Sequence, residues 1–276
     1  MRLGSLCTGY GGLDMPVSAH YGADLAWYSE IDKDCSQLLA HHWPTQPNLG
    51  DLTQIDWNRV DPVDIMCAGF PCQPFSHAGK REGENDDRAI FAYIADAVSV
   101  LRPGIVVLEN VAGILTLGGP GVVGTLTGLG YDLRWGLVRA SDAGAPHRRA
   151  RWFCVATDSS SERHGGRQDC RGVGHLDRRD ESQTRQRQRP RAEPVNRSSA
   201  FGVYADHITR WERTVGRPAP DPTDDRGLRP GFVEWMMGLP DGHVCGLGLS
   251  RTAELKMLGN GVCPQQAALA LTLLDD

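Results

Sequence analysis

The residue with the strongest chemical implication in this sequence is Cys72, which lies in the run GFPCQPFS from Gly69 to Ser76. The run directly follows an apolar segment, Ile65 to Ala68, that is predicted to form a strand. Prolines on both sides of the cysteine fix φ and hold the thiol in a rigid loop. A thiolate is a strong nucleophile, although a free thiol titrates at about 8.5 and needs an electropositive setting to ionise. We therefore predict that Cys72 is reactive, whereas an inert thiol would be expected within the strand, where Cys67 lies.

A second candidate is Glu109, in the run LENV from Leu108 to Val111. It ends an apolar segment that is typical of the next strand, and the carboxyl ends of parallel strands share one edge of a sheet. Burial at that edge would raise the pKa of a carboxyl group towards neutrality. A cysteine and an acid without an obvious histidine base disfavour protease-type catalysis. His77 keeps that alternative open. A surface carboxylate is the alternative for Glu109, but an acid that ends a buried apolar strand is a better candidate for a functional group.

Arginines are concentrated in the run PHRRARW from Pro146 to Trp152, which leads into another apolar strand-like segment. Alternate residues of an extended segment share a face, so Arg149 and Arg151 are expected to point the same way. Guanidinium groups at that position suit a phosphate or the carbonyl of a base. The alternative is a solvated strand edge.

A glycine-rich run, CTGYGGLD from Cys7 to Asp14, joins a predicted strand to a predicted helix. Such a turn lets the backbone approach a ligand closely, and the helix N-terminus offers unpaired N–H groups. Glu30 ends the second predicted strand, where a carboxylate can accept hydrogen bonds from ribose hydroxyls. Asp51 is expected to end a third strand. Together these residues favour an adenosine-containing cofactor, although glycine turns are common, Glu30 could be a surface acid and Asp51 a cap.

The elements that must position these residues alternate along the first part of the chain, up to about residue 157. Short β-branched runs alternate with helical or turn-rich segments, which is the pattern of a doubly wound α/β domain with a mostly parallel sheet. Helices are expected after Gly11, after Asp32 and across Arg88 to Leu101. The predicted strands are Arg2 to Cys7, Asp24 to Ser29, Ile65 to Ala68, Ile105 to Glu109, Leu133 to Val138 and Trp152 to Ala156.

The composition changes sharply after Asp158, because almost no large apolar residues occur before Ser199. Nine arginines stand against five acids from Ser159 to Arg191, in a chain whose net charge is −5. A basic segment in an acidic protein is a candidate nucleic-acid contact, and a solvated, disordered loop is the alternative. Order is expected to return at Ala200 to Val215.

No apolar run approaches the roughly 18 residues that suggest a membrane span, and no secretory signal is recognisable, so a cytoplasmic protein is expected. The eight cysteines are scattered and are interpreted as reduced thiols. The spacing of Cys67 and Cys72 does not fit a zinc knuckle, and no structural metal is expected.

Taken together, these motifs resemble the DNA (cytosine-5) methyltransferase family, and the similarity covers the chain except for about residues 158 to 229. The segments resemble the family's motifs in the family's order, which is itself informative. They are the glycine turn, the Pro-Cys loop, Glu109-Asn110-Val111, His147 to Arg151, Phe232 to Pro240 and Gly259 to Pro264. Two positions depart from the family pattern: Cys7 stands where Phe is usual, and His147 where Gln is usual.

The resemblance implies S-adenosyl-L-methionine as cofactor. Gly9, Gly11 and Gly12 would line its methionine end, Glu30 would bind the ribose and Asp51 the adenine amino group, and Asn260 with Val262 would close the site. For catalysis, Cys72 would add to C6 of cytosine, Glu109 would protonate or hydrogen-bond N3, and Arg149 with Arg151 would hold the ring. Pro71, Ser76 and Asn110 are expected to contact the substrate.

The resemblance further implies a flipped cytosine in a specific double-stranded DNA sequence. It divides the chain into a catalytic and cofactor-binding domain (1–157), a variable, partly disordered target-recognition region (158–229) and a C-terminal segment (230–276) that returns to the catalytic domain. A monomer is expected, with a role in restriction-modification or DNA protection and a possible cognate restriction endonuclease. Three alternatives remain open: the same chemistry on tRNA, a nicotinamide enzyme, and a catalytically inactive DNA-binding regulator.

Overall fold

The computed structural model describes residues 1–71, 87–160, 171–172 and 201–275. Within these residues, seven strands form one sheet. They are β1 (Arg2–Leu6), β2 (Asp24–Ser29), β3 (Ile65–Gly69), β4 (Ile105–Val111), β5 (Tyr131–Arg139), β6 (Ala150–Asp158) and β7 (Arg171–Gly172). A separate two-stranded ribbon joins β8 (Thr223–Asp224) to β9 (Gly227–Leu228).

The order of the strands across the sheet is β2-β1-β3-β4-β6-β5-β7. The first four of these strands are parallel neighbours, whereas β6 runs antiparallel to both β4 and β5. β3 and β4 are buried on both faces, which is why they are nearly continuous apolar runs in the sequence. The carboxyl ends of β1 to β4 therefore share one edge, and β6 brings its beginning to that edge.

Helices cover both faces of the sheet. They are α1 (Asp14–Tyr21), α2 (Lys33–His42), α3 (Asp87–Leu101), α4 (Ile114–Leu117), α5 (Gly119–Gly128), α6 (Ala205–Val215), α7 (Pro230–Met236), α8 (Arg251–Asn260) and α9 (Pro264–Asp275). The core on one face includes residues of α1, α2 and α6 to α9, and the core on the other includes residues of α3, α4 and α5. This arrangement confirms the predicted doubly wound α/β fold, and each predicted strand ends within two residues of the observed one.

The C-terminal helices pack onto the same core as the first strand. Leu271 and Leu274 of α9 are buried in the cluster that contains Leu3 of β1. α6 joins this cluster through Ile208 and Trp211, and the indole Nε1 of Trp211 donates to the backbone carbonyl of Trp235 at 2.9 Å. Residues 205–215 therefore contact the body that carries the site, while the proposed domain boundaries remain a prediction.

Two local expectations change. Asp51 does not end a strand: only an isolated bridge joins the nearby Asn48 to Tyr28, and Asp51 instead caps a 3₁₀ turn, Leu52–Gln54. The arginines of the segment from Ser159 to Arg191, apart from Arg171 in β7, lie outside the described residues. Among the helices of the described ranges, none has the length and apolar composition needed to cross a membrane.

Candidate active site

The carboxyl ends of β1, β2 and β3 open into a cavity of about 460 Å³. This volume falls in the range of ~300 to 1,000 Å³ that is usual for small-molecule sites. The residues predicted for the site that line this cavity are Gly9, Gly12, Glu30, Asp51, Pro71, Asn260 and Val262.

The glycine turn forms one wall of the cavity. Gly9 has φ 60°, and its backbone N–H donates to Oε2 of Glu30 at 2.8 Å. Gly12 lies against the carbonyl oxygen of Val262, so no side chain fits there. Gly11 does not line the cavity, because its missing Cβ faces the ring of Trp43 at 2.6 Å. The requirement for glycine at position 11 is therefore explained by packing, and its predicted cofactor contact is not brought to the cavity.

Glu30 and Asp51 stand on the β2 side of the cavity. Glu30 is 9% exposed, and its second oxygen accepts the backbone N–H of Asp32 at 2.8 Å. Burial raises the pKa of Glu30, and the two backbone N–H donors oppose that rise. Oδ1 of Asp51 accepts both the N–H and the hydroxyl of Thr53. Both carboxylates are thus held in fixed orientations with lone pairs left for a ligand.

Residues 259–262, the closing segment, contribute Asn260, Gly261 and Val262 to the cavity wall, next to the glycine turn. The Tyr10 hydroxyl donates to the carbonyl of Val262 at 2.7 Å, and Gly261 lies directly against the Tyr10 ring. Asn260, at the end of α8, is exposed and lines the cavity. Tyr10 therefore ties the glycine turn to residues more than 250 positions away in the chain.

Glu109 and Arg151 form an ion pair at the neighbouring strand ends. Glu109 is opposite Phe153 in the antiparallel β4/β6 pair, and Arg151 is opposite Val111, so the two charged residues are diagonal neighbours on one face. Nε of Arg151 lies 2.9 Å from Oε1 of Glu109, and both side chains are largely buried. A Cβ on Gly69 would lie 3.4 Å from Oε2, which places the second oxygen near the end of β3.

The Glu109 carboxyl is suited to hold a proton near neutral pH. Burial raises its pKa to about 7, and the positive charges of Arg151 and Arg149 limit that rise. A carboxyl group that titrates near neutrality can act as a general acid at physiological pH. With Oε1 engaged by Arg151, Oε2 remains to carry and deliver the proton.

The predicted substrate residues have different positions. Pro71 lines the cavity and is exposed, whereas Cys72 and Ser76 lie outside the described residues. Asn110 is 2% exposed; its Nδ2 donates to the carbonyl of Phe70 at 3.0 Å. Asn110 therefore fixes the backbone that enters the cysteine loop, and its amide is already engaged by protein groups.

Arg149 does not continue the extended segment of Arg151, so that expectation is wrong. Its φ is 31°, and β6 begins one residue later. Nη2 donates to the carbonyls of Gly259 and Gly261 at 2.8 and 2.6 Å. Gln266 holds the backbone carbonyl of Arg149 at 2.7 Å. The geometry assigns Arg149 to positioning the closing segment, next to the Glu109–Arg151 pair.

The two residues that depart from the family pattern are also accounted for by local contacts. Nε2 of His147 donates to the carbonyl of Met236 at 3.0 Å, and burial lowers the pKa of the ring. Cys7 has φ 52° and lines the cavity. Burial, with the negative charge of Glu30, raises the pKa of the Cys7 thiol to about 12. The Cys7 thiol is therefore uncharged at neutral pH and forms a small part of the cavity wall.

Sequence reasoning missed Tyr10, Asp14 and Gln266. Tyr10 and Gln266 act through partners that are distant in the chain, so local spacing carries no signal for them. Asp14 begins α1, where an acid is usually interpreted as a partner of the helix dipole.

Comparison with known proteins gives the family. The model of the C-5 cytosine-specific DNA methylase family matches residues 1–195. The Type II methyltransferase M.DsaV of Dactylococcopsis salina is 31% identical over 166 residues, which are 58% of this chain and 46% of that protein. The Type II methyltransferase M.NlaIV of Neisseria lactamica is 35% identical over 141 residues, 47% of this chain and 33% of that protein. The matched part of this chain thus covers less than half of the full length of each of these two relatives.

The fold is also found among known structures. The crystal structure of the S. pombe Dnmt2 methyltransferase matches with a TM-score of 0.67 at 16% identity, over 100% of this chain and 98% of that one. At this identity the likeness concerns the fold alone. The family model covers well over half of the 276 residues, and the chain therefore belongs to the C-5 cytosine-specific DNA methylase family.

Proposed function

We propose that this chain is a DNA (cytosine-5-)-methyltransferase that transfers a methyl group from S-adenosyl-L-methionine to C5 of a flipped cytosine in a specific duplex sequence. The observation that carries the proposal is the Glu109–Arg151 pair. It combines a carboxyl group of pKa about 7 with a guanidinium group, at the strand end where the cysteine loop begins. Family membership and the similarity to Type II methyltransferases support it.

The cavity residues fit the donor. The cavity is large enough for a nucleoside with an amino-acid tail, and Gly12 gives the close backbone approach such a ligand needs. In this proposal Glu30 accepts hydrogen bonds from the ribose, Asp51 from the adenine amino group, and Gly9 and Gly12 line the methionine end. Asn260 and Val262 close the cavity. The bound donor supplies an electrophilic methyl group.

The base reaction is assigned to Cys72 and Glu109. C5 of cytosine is a poor nucleophile, so the Cys72 thiolate first forms a bond to C6 and the ring electrons move towards N3. Glu109 donates its proton or a hydrogen bond to N3, which stabilises the developing charge. C5 of the resulting enamine takes the methyl group. The donor would leave as S-adenosylhomocysteine. The C5 proton passes to solvent water and the C6–sulfur bond breaks, which returns the Cys72 thiolate. N3 gives its proton back to Glu109, and 5-methylcytosine is released.

Two arginines are given different tasks. Arg151 orients Glu109 and holds the ring carbonyl, where its guanidinium favours negative charge. Arg149 holds the closing segment through Gly259 and Gly261. Pro71 and Asn110 shape the entry to the cysteine loop, and Ser76 is proposed to contact the substrate.

The DNA partner follows from the chemistry. A stacked base cannot reach a pocket at a strand end, so the cytosine must leave the helix, at a cost of a few kcal/mol. Phosphate contacts hold the duplex meanwhile, and the arginine-rich segment is proposed to supply them and to read the sequence. We extend the proposal to a monomeric cytoplasmic enzyme that acts in restriction-modification, with a cognate restriction endonuclease, or in phage or host DNA protection; the relatives named Type II methyltransferases favour the first role.

The decisive experiment is transfer of labelled methyl groups to duplex DNA and to tRNA, followed by bisulfite sequencing of the DNA. We expect label in duplex DNA and 5-methylcytosine in one sequence context. Label in tRNA alone would show that the substrate is tRNA and not duplex DNA. Binding of NAD in place of S-adenosylmethionine would support the nicotinamide enzyme. Failure to trap 5-fluorocytosine DNA covalently would support an inactive regulator.

A further inference from the structure

Asp14 is an almost completely buried acid on the wall of the cavity. It is the first residue of α1 and is 3% exposed. The Cys67 thiol lies 3.6 Å from its Oδ1, and the Ser5 hydroxyl also hydrogen-bonds to it. The backbone N–H of Asp14 also donates to the carboxyl, and among the described residues no basic side chain forms an ion pair with it. Burial raises the pKa of this carboxyl to about 6, with the nearby charge of Glu30 adding to the rise.

The other acids of the cavity wall have partners of a different kind. Glu30 receives two backbone N–H groups, and Asp51 receives the N–H and hydroxyl of Thr53. Asp32 pairs with Lys256 at 2.7 Å, and Lys256 is the single basic residue among the described lining residues. A buried carboxylate without a counter-charge is costly. Asp14 is the most deeply buried of these acids, so a cationic group of a ligand would lower this cost most at Asp14.

The sheet order places this charge within the site. Asp14 contacts Ser5 of β1 and Cys67 of β3, whereas Glu30 follows β2 on the other side of β1. β4, which carries Glu109, is the next strand beyond β3. Asp14 therefore lies between the end of the cavity assigned to ribose and the pocket assigned to the base, where the amino-acid part of the donor would extend.

We propose that the Asp14 carboxylate binds the α-ammonium group of the donor's amino-acid end. The inference rests on the proposed function and names a residue for that donor site. An ammonium group is the better partner because it carries three N–H donors, which match a carboxylate whose neighbours are hydroxyl and thiol groups. A sulfonium centre carries charge but no such donor.

The first test changes the ligand and uses the wild-type chain. Calorimetry compares S-adenosylhomocysteine with the same molecule lacking its α-amino group. We expect the deaminated ligand to bind roughly 10- to 100-fold more weakly, as the loss of a charged hydrogen bond requires. Equal affinity for the two ligands overturns the Asp14 inference and leaves the proposed function intact. Failure of S-adenosylmethionine and S-adenosylhomocysteine to bind at all would instead contradict the proposed function.

The second test uses Asp14→Asn, which keeps the size of the side chain. We expect the variant to bind S-adenosylmethionine and S-adenosylhomocysteine roughly 10- to 100-fold more weakly, and to lose the preference for the amino group. Methylthioadenosine, which has no amino-acid end, should bind both proteins equally and reports an intact cavity. A loss for S-adenosylmethionine alone would assign the charge to the sulfonium and overturn the proposal.

Asp32→Asn is the matched control, because it removes an acid that Lys256 already neutralises. We expect the variant to change the affinity for S-adenosylhomocysteine by less than about threefold, because the loss of an exposed ion pair changes free energies only slightly. A loss as large as that of Asp14→Asn would show a general charge effect and contradict a specific contact.

Discussion

Oε1 of Glu109 accepts from Nε of Arg151 at 2.9 Å, yet burial still holds the pKa of this carboxyl at about 7. The ion pair therefore does not keep Glu109 fully ionised at neutral pH. In the proposed mechanism the pair orients one oxygen and leaves the other to deliver a proton. The different roles of Oε1 and Oε2 of Glu109 can be tested directly.

Replacing Glu109 by Gln should reduce the methyl-transfer rate roughly 10²- to 10⁴-fold, because an amide can donate a hydrogen bond but cannot give up a proton as a carboxylic acid does. Single-turnover rates on duplex DNA measure the effect. Donor affinity should remain within about twofold, since Glu109 is not among the cavity-lining residues. A variant with wild-type turnover would remove Glu109 from the mechanism.

The pH dependence of the wild-type rate should show a fall on the alkaline side with an apparent pKa near 7. The protonated form of Glu109 is the active one, and it is lost as pH rises through that pKa. A rate–pH profile for wild type and Glu109→Gln checks this, since the residual activity of the variant should lack that limb. If the variant shows the same fall in rate on the alkaline side, that fall belongs to a titrating group other than Glu109.

The change Cys72→Ser should abolish both methylation and covalent trapping of 5-fluorocytosine DNA, because a hydroxyl does not replace the thiolate as nucleophile. S-adenosylmethionine binding should be largely retained, as measured by calorimetry. Cys245→Ser is the control, since Cys245 is not among the residues that line the cavity. Retained turnover in the Cys72 variant would overturn the nucleophile assignment.

Lysine substitutions should separate the roles of the two arginines. Arg149→Lys loses the guanidinium that contacts Gly259 and Gly261, so donor affinity should fall roughly tenfold. Arg151→Lys should instead lower turnover with little change in donor affinity, because its partner is Glu109. Equilibrium binding and single-turnover rates on both variants give the comparison, and identical profiles would contradict separate roles.

Two neighbouring glycines provide a matched pair for the closing segment. A Cβ on Gly261 meets the Tyr10 ring, whereas a Cβ on Gly259 meets no atom within 4 Å. Gly261→Ala should therefore lower the melting temperature and weaken donor binding by more than tenfold, since overpacking costs about 1–3 kcal/mol. Gly259→Ala, within α8, should leave the melting temperature unchanged or raise it. Similar melting temperatures and affinities for the two variants would show that the segment moves freely.

The strands of the sheet and the acids at their ends can be predicted from the sequence for a clear physical reason. Buried parallel strands are short apolar runs, and an acid directly after such a run stands out, which is why Glu30 and Glu109 were found. The amphipathic segment before Val215 was likewise expected to be ordered, and it forms α6.

The remaining features depend on contacts that local patterns do not encode. Arg149 leaves the extended conformation where its guanidinium reaches carbonyls about 110 residues away. Tyr10 and Gln266 are placed by partners in other parts of the chain, and Asp51 forms a turn cap in place of a strand end. In each case tertiary packing overrides the local preference.

The antiparallel direction of β6 has a consequence for the proposed separation of chemistry from DNA recognition. β6 begins with Ala150 at the active-site edge and ends with Asp158, about 26 Å away, beside the start of β4. The chain therefore leaves β6 at the end of the strand that is opposite the edge carrying Glu109 and Arg151. If the residues after β6 read the DNA as proposed, their exchange would leave Glu109 and Arg151 in place, so the recognition sequence could diverge while the chemistry is retained.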